Sequence, residues 1–156
     1  MNGTGTTSGV RSEAEYIAEV SSSHELLTER LIMALLAAVP SCRAIYRFGS
    51  WGTVDQHRDS DIDLALLPAS PLPSFTRWEI AQSLAALAGG DVDLVDLLSA
   101  STVLRMQVIG HGVRLYSADL SATAEFEDLV FSSYARLNEE RREILADIRR
   151  RGKIFE

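Results

Sequence analysis

The chain has one cysteine, Cys42, which excludes an internal disulfide and any cysteine-rich zinc site. A reducing, cytoplasmic setting is expected. Basic residues are scarce too: 15 Lys and Arg against 22 Asp and Glu leave a net charge of -7. Broad binding to a nucleic-acid backbone needs clustered basic side chains, so the acidic balance argues against it. A nucleotide remains admissible, because a bound cation reverses the local sign. The longest apolar run, Leu31 to Val39, is too short to cross a bilayer. Met1 to Gly9 lacks the charged-then-apolar order of a secretion signal, so a soluble chain is expected. The three histidines, His24, His57 and His111, have no ligand partner at useful spacing, and no Ser-His-Asp or Cys-His pattern stands out.

What is present is an ordinary globular composition, 46% hydrophobic and 24% charged, in 156 residues. That length is enough to bury one core without staples. Residues 1–12 read as a disordered Gly, Thr and Ser tail, and 13–156 as a single domain. A short helix is expected over Glu13 to Val20. A second is expected to open on a capping box, Ser22 with Glu25, and to run to Pro40 with Leu27, Leu31, Leu35 and Ala38 on one stripe. Strands are predicted at Ala44 to Phe48, Asp61 to Leu67, Val92 to Leu98 and Val113 to Tyr116. The loop from Ser50 to Ser60 has room for at most a helical turn. Pro68, Pro71 and Pro73 stop the second strand. Thr76 with Glu79 predicts another capped helix, ending at Gly89-Gly90. Ser101 opens a short helix that ends at Gly110 or Gly112. A last helix is expected from about residue 121 to Arg151, with Phe126, Val130, Tyr134, Leu137, Ile144 and Ile148 on one stripe. This order implies an α/β (α+β) fold, a small mixed β-sheet packed with helices.

The chemistry concentrates at Gly49-Ser50 and, ten residues on, at Asp61-Ile62-Asp63. On a strand Asp61 and Asp63 share a face, while Ile62, Leu64 and Leu66 anchor the other. Paired carboxylates in an apolar strand are costly unless a cation sits between them. Magnesium, held by carboxylate and phosphate oxygens, suits such a site. Gly49 and Ser50 offer a tight backbone that a phosphate can approach. A further carboxylate is available on the third strand. Asp91 belongs to the Gly-Gly turn, whereas Asp93 shares a face with Val95 and Leu97, and Asp96 shares the opposite face with Val92 and Leu94. The residues alone leave Asp93 and Asp96 open.

The Gly-Ser, gap, Ser-Asp-Ile-Asp-Leu pattern resembles the signature of the polymerase beta-type nucleotidyltransferases, and the short chain resembles their minimal, single-domain members. The resemblance spans roughly residues 26 to 137. It implies a nucleotidyltransferase fold with a long C-terminal helix and two Mg2+ ions held by Asp61, Asp63 and Asp93, the family's Asp-Leu-Val-Asp-Leu pattern favouring Asp93. It also implies ATP as substrate, with Gly49, Ser50 and Ser60 at the nucleotide. One departure stands out. The family commonly reads Gly-Ser-x-Ala-Arg-Gly, whereas this chain has Thr53 and Val54 at the last two positions. Arg58 offers a substitute cation, although pairing with Asp55 or Asp59 is the plainer expectation.

Among minimal nucleotidyltransferases the chain most resembles the antitoxin half of HEPN/MNT toxin–antitoxin pairs. That resemblance implies transfer of AMP from ATP to a tyrosine of a HEPN-type toxin, a ribonuclease, within a homodimer or a hetero-oligomer. The alternatives are an antitoxin that acts by steric occlusion, and a nucleotidyltransferase acting on a small molecule such as an antibiotic. The basic end of the last helix, Arg149 to Arg151 and Lys153, complements the helix dipole. It also offers a partner-binding arm.

Overall fold

Along residues 62–67 the side chains alternate between two buried faces. Ile62, Leu64 and Leu66 belong to one core with Leu31, Leu35, Ile80, Leu84 and Leu94. Ala65 and Leu67 belong to the other, with Ala44, Tyr46, Val95, Leu97 and Val108. A strand apolar on both sides needs cover on both sides, and the computed structural model supplies it. Residues 12–51 and 61–152 are described. The expectations for the residue 1–11 tail, and for Gly52 to Ser60 with His57 and Arg58, lie outside them.

The elements are α1 (Glu13–Ala38), β1 (Ala44–Phe48), β2 (Ile62–Leu67), α2 (Ser74–Ala88), β3 (Val92–Asp96), α3 (Thr102–His111), β4 (Val113–Ser117) and α4 (Leu120–Gly152). The sheet order is β3-β2-β1-β4. β1 runs antiparallel to both β2 and β4, while β2 and β3 run parallel across the α2 crossover. The sheet is therefore mixed, as expected. α1 and α2 cover one face, and α3 with Phe126 of α4 covers the other.

Four expectations change in detail. The two N-terminal helices are one, Glu13–Ala38. Its capping box is Ser12 with Glu15: the Ser12 Oγ accepts from the Glu15 N–H at 3.2 Å, and the Ser12 N–H donates to Glu15 Oε2 at 3.1 Å. The Ser21-Ser22-Ser23 run stays helical, and the Ser23 hydroxyl donates to the Glu19 carbonyl one turn back at 2.9 Å. α2 starts at Ser74 after Pro73, with no side-chain cap, so Thr76 and Glu79 lie inside the first turns. Proline fixes φ at a helix-compatible value and sets that start instead. β3 ends at Asp96, whose carboxylate turns the chain (below). Finally, only the first half of the α4 stripe is covered. Val130 is buried, whereas Ile144 and Ile148 are exposed, because a 33-residue helix is about 50 Å long and outruns five-residue strands.

The covered half of α4 is pinned by polar contacts. Glu127 Oε1 accepts from the Tyr46 hydroxyl and from Arg114 Nη1, both at 2.9 Å. Burial and the Glu127 charge push the Tyr46 pKa well up, so this phenol stays a donor. Ser117 and Thr123 hydroxyls meet at 2.8 Å. At the far end Asp147 pairs with Arg151 at 2.8 Å and with Arg150 at 3.8 Å.

Candidate active site

Gly49 follows β1 directly and has φ +73°, a left-handed conformation that side chains other than glycine's rarely adopt. An added Cβ there would strike the Asp63 carboxylate. The backbone thus comes down onto Asp63, which lies next to Phe48 in the antiparallel β1–β2 register. Asp63 is half-buried and Asp61 exposed just ahead of β2. The parallel register sets Asp63 opposite Asp93 of β3. The Asp63 pKa is raised, first by burial, then by the Asp93 charge and the Asp61 charge. The charges of Asp93 on β3 and of Asp61 ahead of β2 therefore both act on Asp63 beneath the Gly49 turn. Among the described residues no group of three or more acidic, imidazole or thiol side chains is gathered closely enough to hold a metal ion. The cluster is an open rim of oxygens.

The other two aspartates of the 91–96 segment have different employment. Asp91 stays in the turn after Gly89, and its carbonyl accepts from the Ile62 N–H at 3.0 Å. Asp96 is 2% exposed. Its Oδ1 accepts from the Leu98 N–H at 2.9 Å, and its Oδ2 from the Leu72 N–H at 2.8 Å and the Ser99 hydroxyl at 3.3 Å. A buried carboxylate with that many donors is a joint between two loops. Arg105 completes the joint by donating to the Leu97 and Leu98 carbonyls at 2.6 and 2.9 Å.

Ser50 lies in the turn next to Gly49 and Ser60 lies outside the described residues. The sequence reading missed Trp51. Its side chain is 4% exposed and belongs to the core beneath α1 and α2. The His24 ring of α1 sits 5.7 Å from it, and the Arg47 guanidinium 5.9 Å from its ring centroid. A tryptophan inside an otherwise polar Gly-rich loop was the available signal. Asp93 also lines a cleft of about 190 Å³ between α2 and β3, with Ser74, Arg77, Trp78 and Gln82. Phe75 and Trp78 stack at its rim with centroids 5.8 Å apart, both largely exposed. No helix among the described residues is long and apolar enough to cross a membrane.

The arrangement pairs a backbone turn suited to phosphate oxygens with a rim of carboxylates suited to a hard cation. The comparisons with known proteins identify the family. The family described as "Polymerase beta, Nucleotidyltransferase" matches residues 31–121. The protein adenylyltransferase MntA of Shewanella oneidensis is 42% identical over 124 residues, 80% of this chain and 88% of that protein. Among solved structures, a chain of a toxin–antitoxin crystallised with AMP-PNP superposes with a TM-score of 0.71 at 42% identity, covering 78% of this chain and 97% of that one. A chain of the tri-AMPylated Shewanella oneidensis HEPN toxin in complex with its MNT antitoxin gives 0.69 at 39% identity, covering 80% and 98%. A family match over more than half the residues, carried on the same sheet that gathers the carboxylates, has one meaning: the chain belongs to the polymerase beta-type nucleotidyltransferases.

Proposed function

We propose that this chain transfers AMP from ATP to a tyrosine of a HEPN-type ribonuclease toxin and so neutralises it. The observation that carries the reading is Asp63, set between the Gly49 turn and two like-charged carboxylates, in a chain 42% identical to a protein adenylyltransferase. Solved structural relatives named as a toxin–antitoxin with AMP-PNP and as a tri-AMPylated HEPN toxin bound to its antitoxin support the same substrate and acceptor.

Asp61, Asp63 and Asp93 would hold two Mg2+ ions. The donor set fits: all its atoms are oxygens, and the raised Asp63 pKa marks negative charge that a cation would relieve. When bound, the ions supply Lewis-acid activation and charge neutralisation at the phosphates. The chain's own residues position the reactants. Gly49, through its exposed backbone, and Ser50 and Ser60 carry the triphosphate. The tyrosine oxygen forms a bond to the α-phosphorus of ATP, the bond from that phosphorus to the bridging oxygen breaks, and pyrophosphate leaves. The phenolic proton passes to Asp93, which lies open to solvent at the rim. Asp96 takes no part, since its oxygens are occupied by backbone and Ser99 donors. Residues 13–156 act as one domain, in the cytoplasm where ATP and the toxin meet, and the acceptor is borrowed from the bound partner.

Intact-mass measurement of the partner after incubation with this chain, ATP and magnesium tests the reading. Mass added in AMP-sized steps, abolished by Asp61→Asn with Asp63→Asn, is the expected result. A double variant that still neutralises the toxin as well as wild type would favour occlusion instead. Modification of a small amino-alcohol by the chain alone would favour the antibiotic reading.

A further inference from the structure

We infer that Trp51 is the positioning residue of the nucleotide site: with its indole pegged into the α1-side core against His24 and Arg47, it holds the Gly49-Ser50 turn over Asp63. The inference rests on the reading of that turn as the phosphate contact.

The geometry is unusual for a loop side chain. Trp51 follows Ser50 immediately, yet it is 4% exposed and counts among the core residues with Leu31, Leu35 and Leu64. That core lies on the face of the sheet opposite the one occupied by Ala65 and Leu67, which Asp63 shares by strand alternation. The short segment 49–51 therefore wraps the end of the sheet, its first residue pressed on Asp63 and its third buried on the far side. Two groups grip the indole. His24 comes from the middle of α1, 5.7 Å away centre to centre, and Arg47 from β1, with its guanidinium 5.9 Å from the ring centroid. Ring contacts of this kind orient an aromatic as well as bury it. Gly49 supplies no orientation of its own, because glycine is the residue freest to leave a left-handed conformation. The peg supplies it.

A binding turn that is competent only part of the time binds more weakly by that fraction, and the chemistry of the bound complex is unaffected. Loss of the peg should therefore appear in nucleotide affinity rather than in the rate at saturation. Trp51→Ala is expected to raise KM for ATP about tenfold, with kcat within about threefold of wild type. Trp51→Phe keeps an aromatic peg and should recover KM to within about threefold. His24→Ala, which leaves the indole buried but loosens it, should raise KM about threefold without loss of fold.

The decisive measurement is calorimetric binding of AMP-PNP with magnesium, alongside thermal melts, for wild type and these three variants. Weaker binding in Trp51→Ala and His24→Ala, with recovery in Trp51→Phe, supports the assignment even if no partner ever receives AMP. In that case the transfer reading fails and the positioning role stands. Should Trp51→Ala not fold, the His24→Ala result decides alone. Unchanged binding in folded variants, a Trp51→Phe as weak as Trp51→Ala, or no binding by wild type would each overturn it.

Discussion

Asp63 and Asp96 are the same side chain on neighbouring strands, and they live in opposite circumstances. Asp96 is buried and fully engaged: two backbone N–H groups and a hydroxyl donate to it. Asp63 is half-open, and its pKa is driven up first by burial and then, among the described residues, by the charges of Asp93 and Asp61. A buried charge met by donors is an investment in the fold, whereas a charge crowded by its own kind is stable only with something cationic nearby. The contrast separates an aspartate engaged by the fold from the one proposed for the chemistry by environment alone, with burial pointing the opposite way from what intuition about active sites suggests.

That contrast can be broken in four ways. The largest effect belongs to the site. Asp61→Asn with Asp63→Asn should cut AMP transfer about 10³-fold or more with no fall in melting temperature, since removed charge stabilisation of phosphoryl chemistry costs that much. Transfer that survives would place the chemistry elsewhere. Next comes the joint. Asp96→Ala leaves two buried amides and a hydroxyl without their acceptor and should cost about 3 kcal/mol. Read as a melt, that is a fall of roughly 6–12 °C, while the folded fraction retains its nucleotide affinity. A variant that melts like wild type would show that the loops hold each other without Asp96.

Gly49→Ala tests the contact between the turn and Asp63. The left-handed backbone and the collision with the carboxylate together should cost about 1–3 kcal/mol of stability, with transfer down at least about tenfold through misplacement. An alanine variant with normal KM and kcat would show that Asp63 can move aside freely. The smallest effect is a pH dependence. Because the Asp63 pKa is raised in the fold, the folded chain retains a proton over a range in which the unfolded chain has lost it. Its contribution to stability therefore declines as pH rises through that range and is at its least favourable above it. Asp63→Asn should raise the melting temperature by about 2 °C at neutral pH, with the gain vanishing near about pH 3, where both states are protonated. A gain that grew on acidification would reverse the sign of the argument.

Much of this was legible in the residues. The alternation Ile62, Leu64, Leu66 against Asp63 placed the second strand and its acidic face, and Gly89 and Ser101 marked a helix end and a helix start that the structure retains. Ser22 with Glu25 and Thr76 with Glu79 misled. A capping box is a local pattern, and each was overruled, one by the Ser12–Glu15 box that starts α1 further upstream, the other by Pro73. The α4 stripe was read correctly as helical, yet periodicity says nothing about how far a sheet reaches beneath it. Trp51 went unread because burial of a loop side chain has no period.

By itself the sequence determined which residues can carry charge and which faces must be buried, because side-chain period and turn chemistry are properties of adjacent residues. It also determined, through Gly-Ser and Asp-x-Asp at their spacing, what chemistry to look for. Only the tertiary structure decided between Asp93 and Asp96 as the neighbour of Asp63, through the parallel register of β2 with β3. It alone carried Trp51 across to α1. Both decisions hang on contacts between segments far apart in the chain, and the free energy that selects such contacts exists only once the strands and helices have been brought together.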